Sequence, residues 1–305
     1  MILVGQSLQF RRGALAGAFA QDDRALVAAS ARAQVEAGAQ ALDLNFGIDP
    51  PPEEIPWAVA AVRAAVPGLP LWIDAGRPST LTAALEACAR DGVAGPLVVN
   101  SLPAGVGMSA ADEALIRETA AAGAGLVVSP RRVDRDGIAN GEVGWVMHEA
   151  SQAADRALAL GVPSPLYFDA LAYPALLDPQ GVRRSLALLR VFGTRPEVTP
   201  LAAVGNIAFG APRAVAVPLR IVYAAAATGA GAGALILPVE DAACVRAVRL
   251  ALGEVEPVDA GETWLCAVAA WTARNEPLPP APEEYREAAR LIFDAERPFN
   301  TPGTL

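Results

Sequence analysis

Short runs rich in Val, Leu and Ile alternate along this chain with Ala-rich stretches of helical period. Residues 2–6 predict a first strand. A helix follows over about 22–37, with Asp22 placed to cap it and Gly38 to end it. Residues 41–46 predict the second strand, and a Pro-rich loop (Pro50, Pro51, Pro52) leads into a helix over about 53–66. The alternation then repeats. Strands are predicted at 71–75, 97–101, 125–129, 166–170, 201–204 and 234–238, and helices at about 79–91, 110–122, around His148, 179–192, 213–228 and 240–252. Eight strand–helix pairs in succession predict a parallel sheet closed into an α/β (β/α)8 TIM barrel over residues 1–252. A doubly wound open sheet would carry a Gly-rich fingerprint after its first strand, where this chain reads GQSLQF. The GAGAG at 229–233 precedes a strand, so it reads as a helix stop and a tight loop. Residues 253–305 form a C-terminal helical extension: GETWLCAVAAWTARN and PEEYREAARLIFDAE predict two helices joined by the stiff EPLPPAP. They are expected to pack on the barrel or on a partner subunit.

Composition narrows the chemistry. The 305 residues are 53% hydrophobic and 19% charged, enough for a large core, yet no apolar run approaches the roughly 20 residues of a membrane span. The start, MILVGQSLQFRRG, lacks both a charged lead and a long apolar segment, so no signal peptide, no membrane attachment and a cytoplasmic chain are expected. Net charge is −9 and all 24 basic residues are Arg, with no basic run beyond two residues, which argues against nucleic-acid binding. Without Lys there is no Schiff-base chemistry and no Lys general base. Anionic ligand groups fall to Arg, backbone N–H groups or helix starts. Cys88, Cys244 and Cys266 are scattered and form no CxxC. His148, the only histidine, sits in a helical context (WVMHEASQAADRA) and reads as structural.

In barrels of this kind chemistry gathers at the carboxyl ends of the strands. Those ends carry Asp43 and Asn45 (ALDLNFG), Asp74 (LWIDAG), Asn100 (LVVNS), Asp169 (LYFDAL) and Asn206 (LAAVGNIAFGAP). Gly205 is expected to end the seventh strand, leaving Asn206 at the end of a buried element, where an unpaired amide costs about 1–3 kcal/mol. Taken singly, each residue reads as a turn or cap former, Asn206 included. Taken together, acceptor-only carboxylates and two-way amides suit a flat, neutral heterocycle with several N–H donors and a carbonyl, such as a pterin. Asp43, Asp74 and Asp169 also admit a divalent metal by residue type. The share of amides favours the heterocycle, and no metal is assigned.

The ordered segments ALDLNFG, WIDAG, LVVNS, LYFDAL and VGNIAFGAP resemble the pterin-binding methyltransferases, specifically the methyltetrahydrofolate:corrinoid/iron–sulfur protein methyltransferases, which share the dihydropteroate synthase-like barrel. The resemblance covers about residues 1–252. It implies that Asp74, Asn100 and Asp169 bind the pterin ring and that Asp43 and Asn45 brace the site. It makes Asn206 the catalytic residue, hydrogen-bonded to the N5 that carries the methyl group, with Gly205 beside it in the substrate-binding segment. The methyl donor it implies is methyltetrahydrofolate or a related tetrahydropterin. The acceptor is cobalt(I) in a corrinoid (cobalamin) held by a partner protein, and the subunits of the family pair as homodimers.

A zinc module for homocysteine is not supported by three scattered Cys and one His. The chain departs from the family at Gln6 and Gln9, where an acidic and an Asn-containing segment is usual. It departs again at Gly205, which replaces a Ser, and at Ala208, Phe209 and Gly210, which replace polar residues; Arg213 stands one position from a family Arg. Arg131 and Arg132 are placed to meet a folate tail or to be solvated. Two alternatives stay open: a dihydropteroate synthase-type enzyme, for which the missing Lys is unfavourable, and a non-catalytic pterin-binding subunit, which the loop after Asn206 favours.

Overall fold

The computed structural model of the chain describes residues 1–92, 95–104, 107–130 and 143–293. Its eight strands form a closed parallel barrel in sequence order: β1 (Ile2–Gln9), β2 (Ala41–Asn45), β3 (Leu71–Asp74), β4 (Leu97–Ala104), β5 (Gly125–Pro130), β6 (Leu166–Asp169), β7 (Val198–Ala203) and β8 (Ala234–Leu237). The α/β (β/α)8 barrel expected from the alternation is therefore the fold. Helices α1 (Arg24–Glu36), α2 (Glu54–Ala65), α3 (Pro78–Arg90), α4 (Ala110–Ala121), α5 (Val143–Ala159) and α6 (Pro179–Phe192) follow the first six strands in turn. A single turn, α7 (Val204–Ile207), precedes α8 (Arg213–Gly229), and α9 (Ala242–Ala251), α10 (Ala260–Arg274) and α11 (Arg286–Phe293) complete the order. Among the described residues no helix is long and apolar enough to cross a membrane.

The chain divides into two compact units, one spanning residues 2–141 and 145–168, the other 169–305 with 1 and 142–144. In the first, strands buried on both faces read as near-continuous apolar runs, and Leu42, Leu44 and Leu71 are fully buried. β1 runs on to Gln9, past its predicted end at Gln6, through an irregularity in register between Gly5 and Leu8. That irregularity takes Ser7 out of the ladder, and its N–H is satisfied by Oε1 of the fully buried Gln34 on α1, at 3.0 Å. Gly5 makes room for this amide, since a Cβ there would lie 2.4 Å from the same Oε1. The α1 cap is Asp23, whose Oδ1 accepts the Leu26 N–H at 2.9 Å, not Asp22 as expected. Asp22 adopts φ 49° and instead accepts the indole N–H of Trp57. Arg11 bonds the buried carboxylate of Glu54 through both terminal nitrogens, tying the loop after β1 to the first turn of α2.

In the second unit β7 pairs with β8 from Leu201↔Ala234 onward. β7 begins earlier than predicted, at Val198, because Pro200 lies ahead of the paired register. There its missing N–H costs nothing, while its carbonyl still accepts Gly233 N–H at 2.8 Å. The tail helices pack within this unit, α10 on α8 and α9, α11 on α6 and α8. Trp264 of α10 stacks on Tyr285 with ring centroids 5.6 Å apart and donates its indole N–H to Pro279 O at 2.9 Å, which fastens the Pro-rich connection.

Candidate functional site

Asn45 and Asp74, the last residues of β2 and β3, align with Asn100 as register partners, and Gln9 of β1 pairs with Asn45. β4 does not end near Asn100 as expected but runs on to Ala104, through an irregularity in register between Asn100 and Leu102. Side chains alternate between the two faces of a strand. Gly5 and Leu42 are register partners whose face abuts Gln34 of α1, so the opposite face, carrying Asp43 and Asn45, is the barrel interior. The strand ends are fixed one step further by backbone bonds: Phe10 N–H to Asn45 O at 2.9 Å, Phe46 N–H to Asp74 O at 2.9 Å and Ala75 N–H to Asn100 O at 3.1 Å. The rings of Phe10 and Phe46 stack at 4.7 Å, locking the turns that leave β1 and β2.

The polar side chains satisfy one another in carboxylate–amide pairs. Asn45 donates from Nδ2 to Asp74 Oδ2 and accepts the Gly47 N–H on Oδ1 at 3.2 Å, which orients the amide from both ends. Asn100 donates from Nδ2 to Asp43 Oδ1 at 3.0 Å. Asp43 is buried, and its carboxyl is pushed well above the ordinary range by burial first and by the charge of Asp74 second, with the Asn100 bond pulling the other way. Asp43 therefore keeps its proton to higher pH than an exposed carboxyl. Asp74, Asn45 and Asn100 are only half-buried, and Oδ1 of Asn100 has no hydrogen-bond partner among the described residues. The interior face thus offers fixed acceptors beside an amide with capacity left.

In the second unit Asp169 closes β6. Its Oδ1 accepts the Leu171 N–H at 2.9 Å, a local turn in which Leu171 takes φ 52°. Its charge is felt by the fully buried Tyr223 of α8, whose phenol is pushed up chiefly by burial and which shares a hydrogen bond with Ser185 of α6. Gly205 does not end a strand, because β7 stops at Ala203 and Gly205 and Asn206 lie on α7. Asn206 is exposed, not buried as expected, and its side chain has no partner among the described residues. Helical spacing explains this: Val204 and Ile207 take the buried side of the turn, and Gly205, Ala208 and Gly210 have too little bulk to cover an amide on the other. The turn is held by Ala175 N–H on Ile207 O at 2.9 Å, and beside it Phe209 is 61% exposed.

Other residues named from the sequence fall outside these sets. Gln9 donates to Gln6 O at 2.7 Å and accepts from Arg12 at 3.3 Å. Arg213, first in α8, is exposed with no ion pair among the described residues, and His148 is exposed on α5 beside Gln152. Arg131 and Arg132 lie outside the described residues. Among those described, no three His, Cys, Asp or Glu gather as metal ligands. Two interior residues escape the sequence reading, Trp72 and Tyr167. Their signal is the strand period alone, since each stands two positions before an aspartate already singled out.

Solved structures of dihydropteroate synthases share this architecture. The enzyme from Coxiella burnetii in complex with pteroic acid aligns with a TM-score of 0.58 at 12% identity, over 90% of this chain and 94% of that one. That from Thermus thermophilus gives 0.58 at 22% identity, over 83% and 94%. A Yersinia pestis enzyme with a pterine–sulfa conjugate gives 0.56 at 15%, over 83% and 94%. The chain has the dihydropteroate synthase fold. At these identities the likeness is one of fold. No family model matches the sequence, and no curated protein sequence does.

Proposed function

We propose that this barrel binds a methylated tetrahydropterin, methyltetrahydrofolate or a close relative, and passes its N5-methyl group to cobalt(I) of a corrinoid carried by a partner protein. The observation that carries the reading is the pair of carboxylate–amide couples, Asn100 on Asp43 and Asn45 on Asp74, facing the barrel interior. Acid groups held in place by amides, Asp43 buried and slow to ionise and Asp74 half-buried, offer fixed acceptor oxygens to the N–H edge of an amino-pyrimidine ring, and an amide with a spare carbonyl completes the edge. The shared fold with enzymes solved around pteroic acid and a pterine conjugate supports the same ligand class. Asp169 is assigned to the ring on the strength of the motif LYFDAL, and Gly205 and Asn206 to the N5 side on that of VGNIAFGAP.

Breaking the methyl–N5 bond leaves its electron pair on N5, so charge relief there must grow as the bond lengthens. Asn206 has a side chain free to turn either its carbonyl toward an N5–H or its amide toward a bare N5. A cobalt(I) acceptor is itself a strong nucleophile, so this chain needs no nucleophilic side chain, in keeping with a sequence that has no Lys and one surface His. A homodimer is part of the same proposal by family resemblance.

Titration with methyltetrahydrofolate, followed by a cob(I)alamin methylation assay, tests the reading. Saturable binding and methylcobalamin formation are expected. Absence of binding at millimolar ligand overturns it, and binding without transfer points to a non-catalytic pterin-binding subunit. Asp169→Asn is expected to weaken binding more than it slows transfer.

The solved structures favour one further reading, dihydropteroate synthesis. That reaction expels pyrophosphate, which here would have to be held without any Lys. Dihydropteroate formation, with release of pyrophosphate, from a dihydropterin pyrophosphate and 4-aminobenzoic acid would decide for it.

A further inference from the structure

We infer that Tyr167 forms the floor of the ligand site and touches the bound ring, an inference that rests on the pterin reading and adds to it a residue to which the motif LYFDAL assigns no role. The register leads to it step by step: Asp74 pairs with Asn100, Asn100 with Val127, and Val127 with Tyr167. Partners in parallel strands share a face, so Tyr167 projects to the interior with the polar row. Phe168, its neighbour, takes the opposite face and is fully buried.

Depth follows from the stagger of a closed barrel, in which following the hydrogen-bonded register around the sheet also moves along the axis. Two contacts measure that stagger. Asn100 reaches across two strands to Asp43, not to its register level at Asn45. Tyr167 reaches across three strands to Trp72, the interior residue one pleat below Asp74, with ring centroids 4.6 Å apart and planes at 53°. Tyr167 therefore lies beneath the row of Asn45, Asp74 and Asn100. Between these strands Gly125 keeps the space open: a Cβ there would sit 3.1 Å from Val98 Cγ2 and 3.8 Å from Tyr167 Cε2.

The two aromatic rings differ in what they leave free. Trp72 is 1% exposed, wholly covered, and acts as the support. Tyr167 is half-buried, and its hydroxyl has no hydrogen-bond partner among the described residues. Burial pushes the phenol up from its ordinary value, so it stays a neutral O–H donor. A floor with one donor under a row of acceptors fits a heterocycle that presents N–H groups on one edge and a ring nitrogen or carbonyl at another.

The test is calorimetric titration of wild type and Tyr167→Phe with methyltetrahydrofolate, together with 19F NMR of protein labelled with 3-fluorotyrosine. The chain has only four tyrosines, so the Tyr167 resonance is assigned by its loss in the variant. Phenylalanine keeps the ring on Trp72, so an unchanged melting temperature is expected with a dissociation constant raised about 5–10-fold, the effect of one lost hydrogen bond. In wild type the Tyr167 resonance is expected to shift and saturate with the ligand. If wild type binds while Tyr167→Phe binds equally well and the resonance stays put, the tyrosine assignment falls and the pterin reading stands. If wild type binds no pterin, both fall.

Discussion

Asn45 at the end of β2 and Asn100 within β4, and Asn206, on the turn after β7, are the same residue type in opposite physical states. The first two are half-buried and bonded to the carboxylates of Asp74 and Asp43 before any ligand arrives. Asn206 is exposed on a single helical turn with no side-chain partner among the described residues. Ordering such a side chain at a binding site costs about 0.5–1.5 kcal/mol, a cost the paired amides have already met on folding. The difference separates two ways of using an amide. Where it is paired, folding and ligand binding depend on the same bonds, and a substitution disturbs both. Where it stands alone, function can be removed with the fold left intact.

The largest expected effect sharpens that contrast. Asn206→Ala is expected to slow methyl transfer about 100-fold or more, the size of a lost transition-state hydrogen bond. Its stability in urea should stay within about 0.5 kcal/mol of wild type, as for an exposed residue without partners. Single-turnover transfer to cob(I)alamin and a urea titration check the two halves. A normal rate, or a clear loss of stability, removes Asn206 from its role as a free catalytic amide.

Next in size is Asn100→Ala, which leaves the buried Asp43 carboxyl without its donor. A destabilisation of about 1–3 kcal/mol is expected, together with weaker pterin binding. Urea unfolding and calorimetric titration measure both. If stability is unaffected while binding is lost, the Asn100–Asp43 bond is a feature of the ligand site alone, and the contrast with Asn206 collapses.

The strand–helix alternation is legible because each core strand holds a short apolar stretch bounded by turn residues, and the barrel follows from counting them. Local polar chemistry was harder to read. β1 passes through an irregularity whose stray N–H is met by Gln34, a residue that reads as an ordinary polar position on α1. β7 hides its start behind Pro200, which looks like a strand breaker and lies just ahead of the paired register. The acid and amide row at β2, β3 and β4 was visible in the motifs, whereas its pairing across strands depends on stagger that no single segment encodes. Trp72 and Tyr167 stand inside WIDAG and LYFDAL beside the aspartates that draw attention there, and their own role emerges only from that geometry. For Asn206 the sequence shows the position after β7 but not the exposure, because the small residues around it look like a strand end and in fact form a turn too thin to cover an amide.

The subtlest expected effect concerns charge in the paired region. In the folded chain Asp43 holds its proton above the ordinary carboxylate value of 3.8, through burial and the nearby charge of Asp74. Unfolding returns it to that ordinary value, so above about pH 4 the native state binds more protons than the unfolded one. Stability contributed by the protonated carboxyl is complete at low pH and declines as pH rises toward the raised folded value. Asp43→Asn cannot ionise, and its carbonyl still accepts from Asn100 Nδ2, so its stability should lack this decline. The stability of the variant relative to wild type is therefore expected to be flat below about pH 4, to rise from there until the raised folded value is passed and then to level off, by at most about 1.4 kcal/mol per pH unit, the ceiling for one proton. Urea midpoints of both proteins at intervals from about pH 3 to 8 give the difference directly. Because Asn206 carries no ionisable partner, the same series on Asn206→Ala should run parallel to wild type. A parallel series for Asp43→Asn as well would mean that Asp43 is ionised in the native state, and that the paired region holds two carboxylate charges against each other.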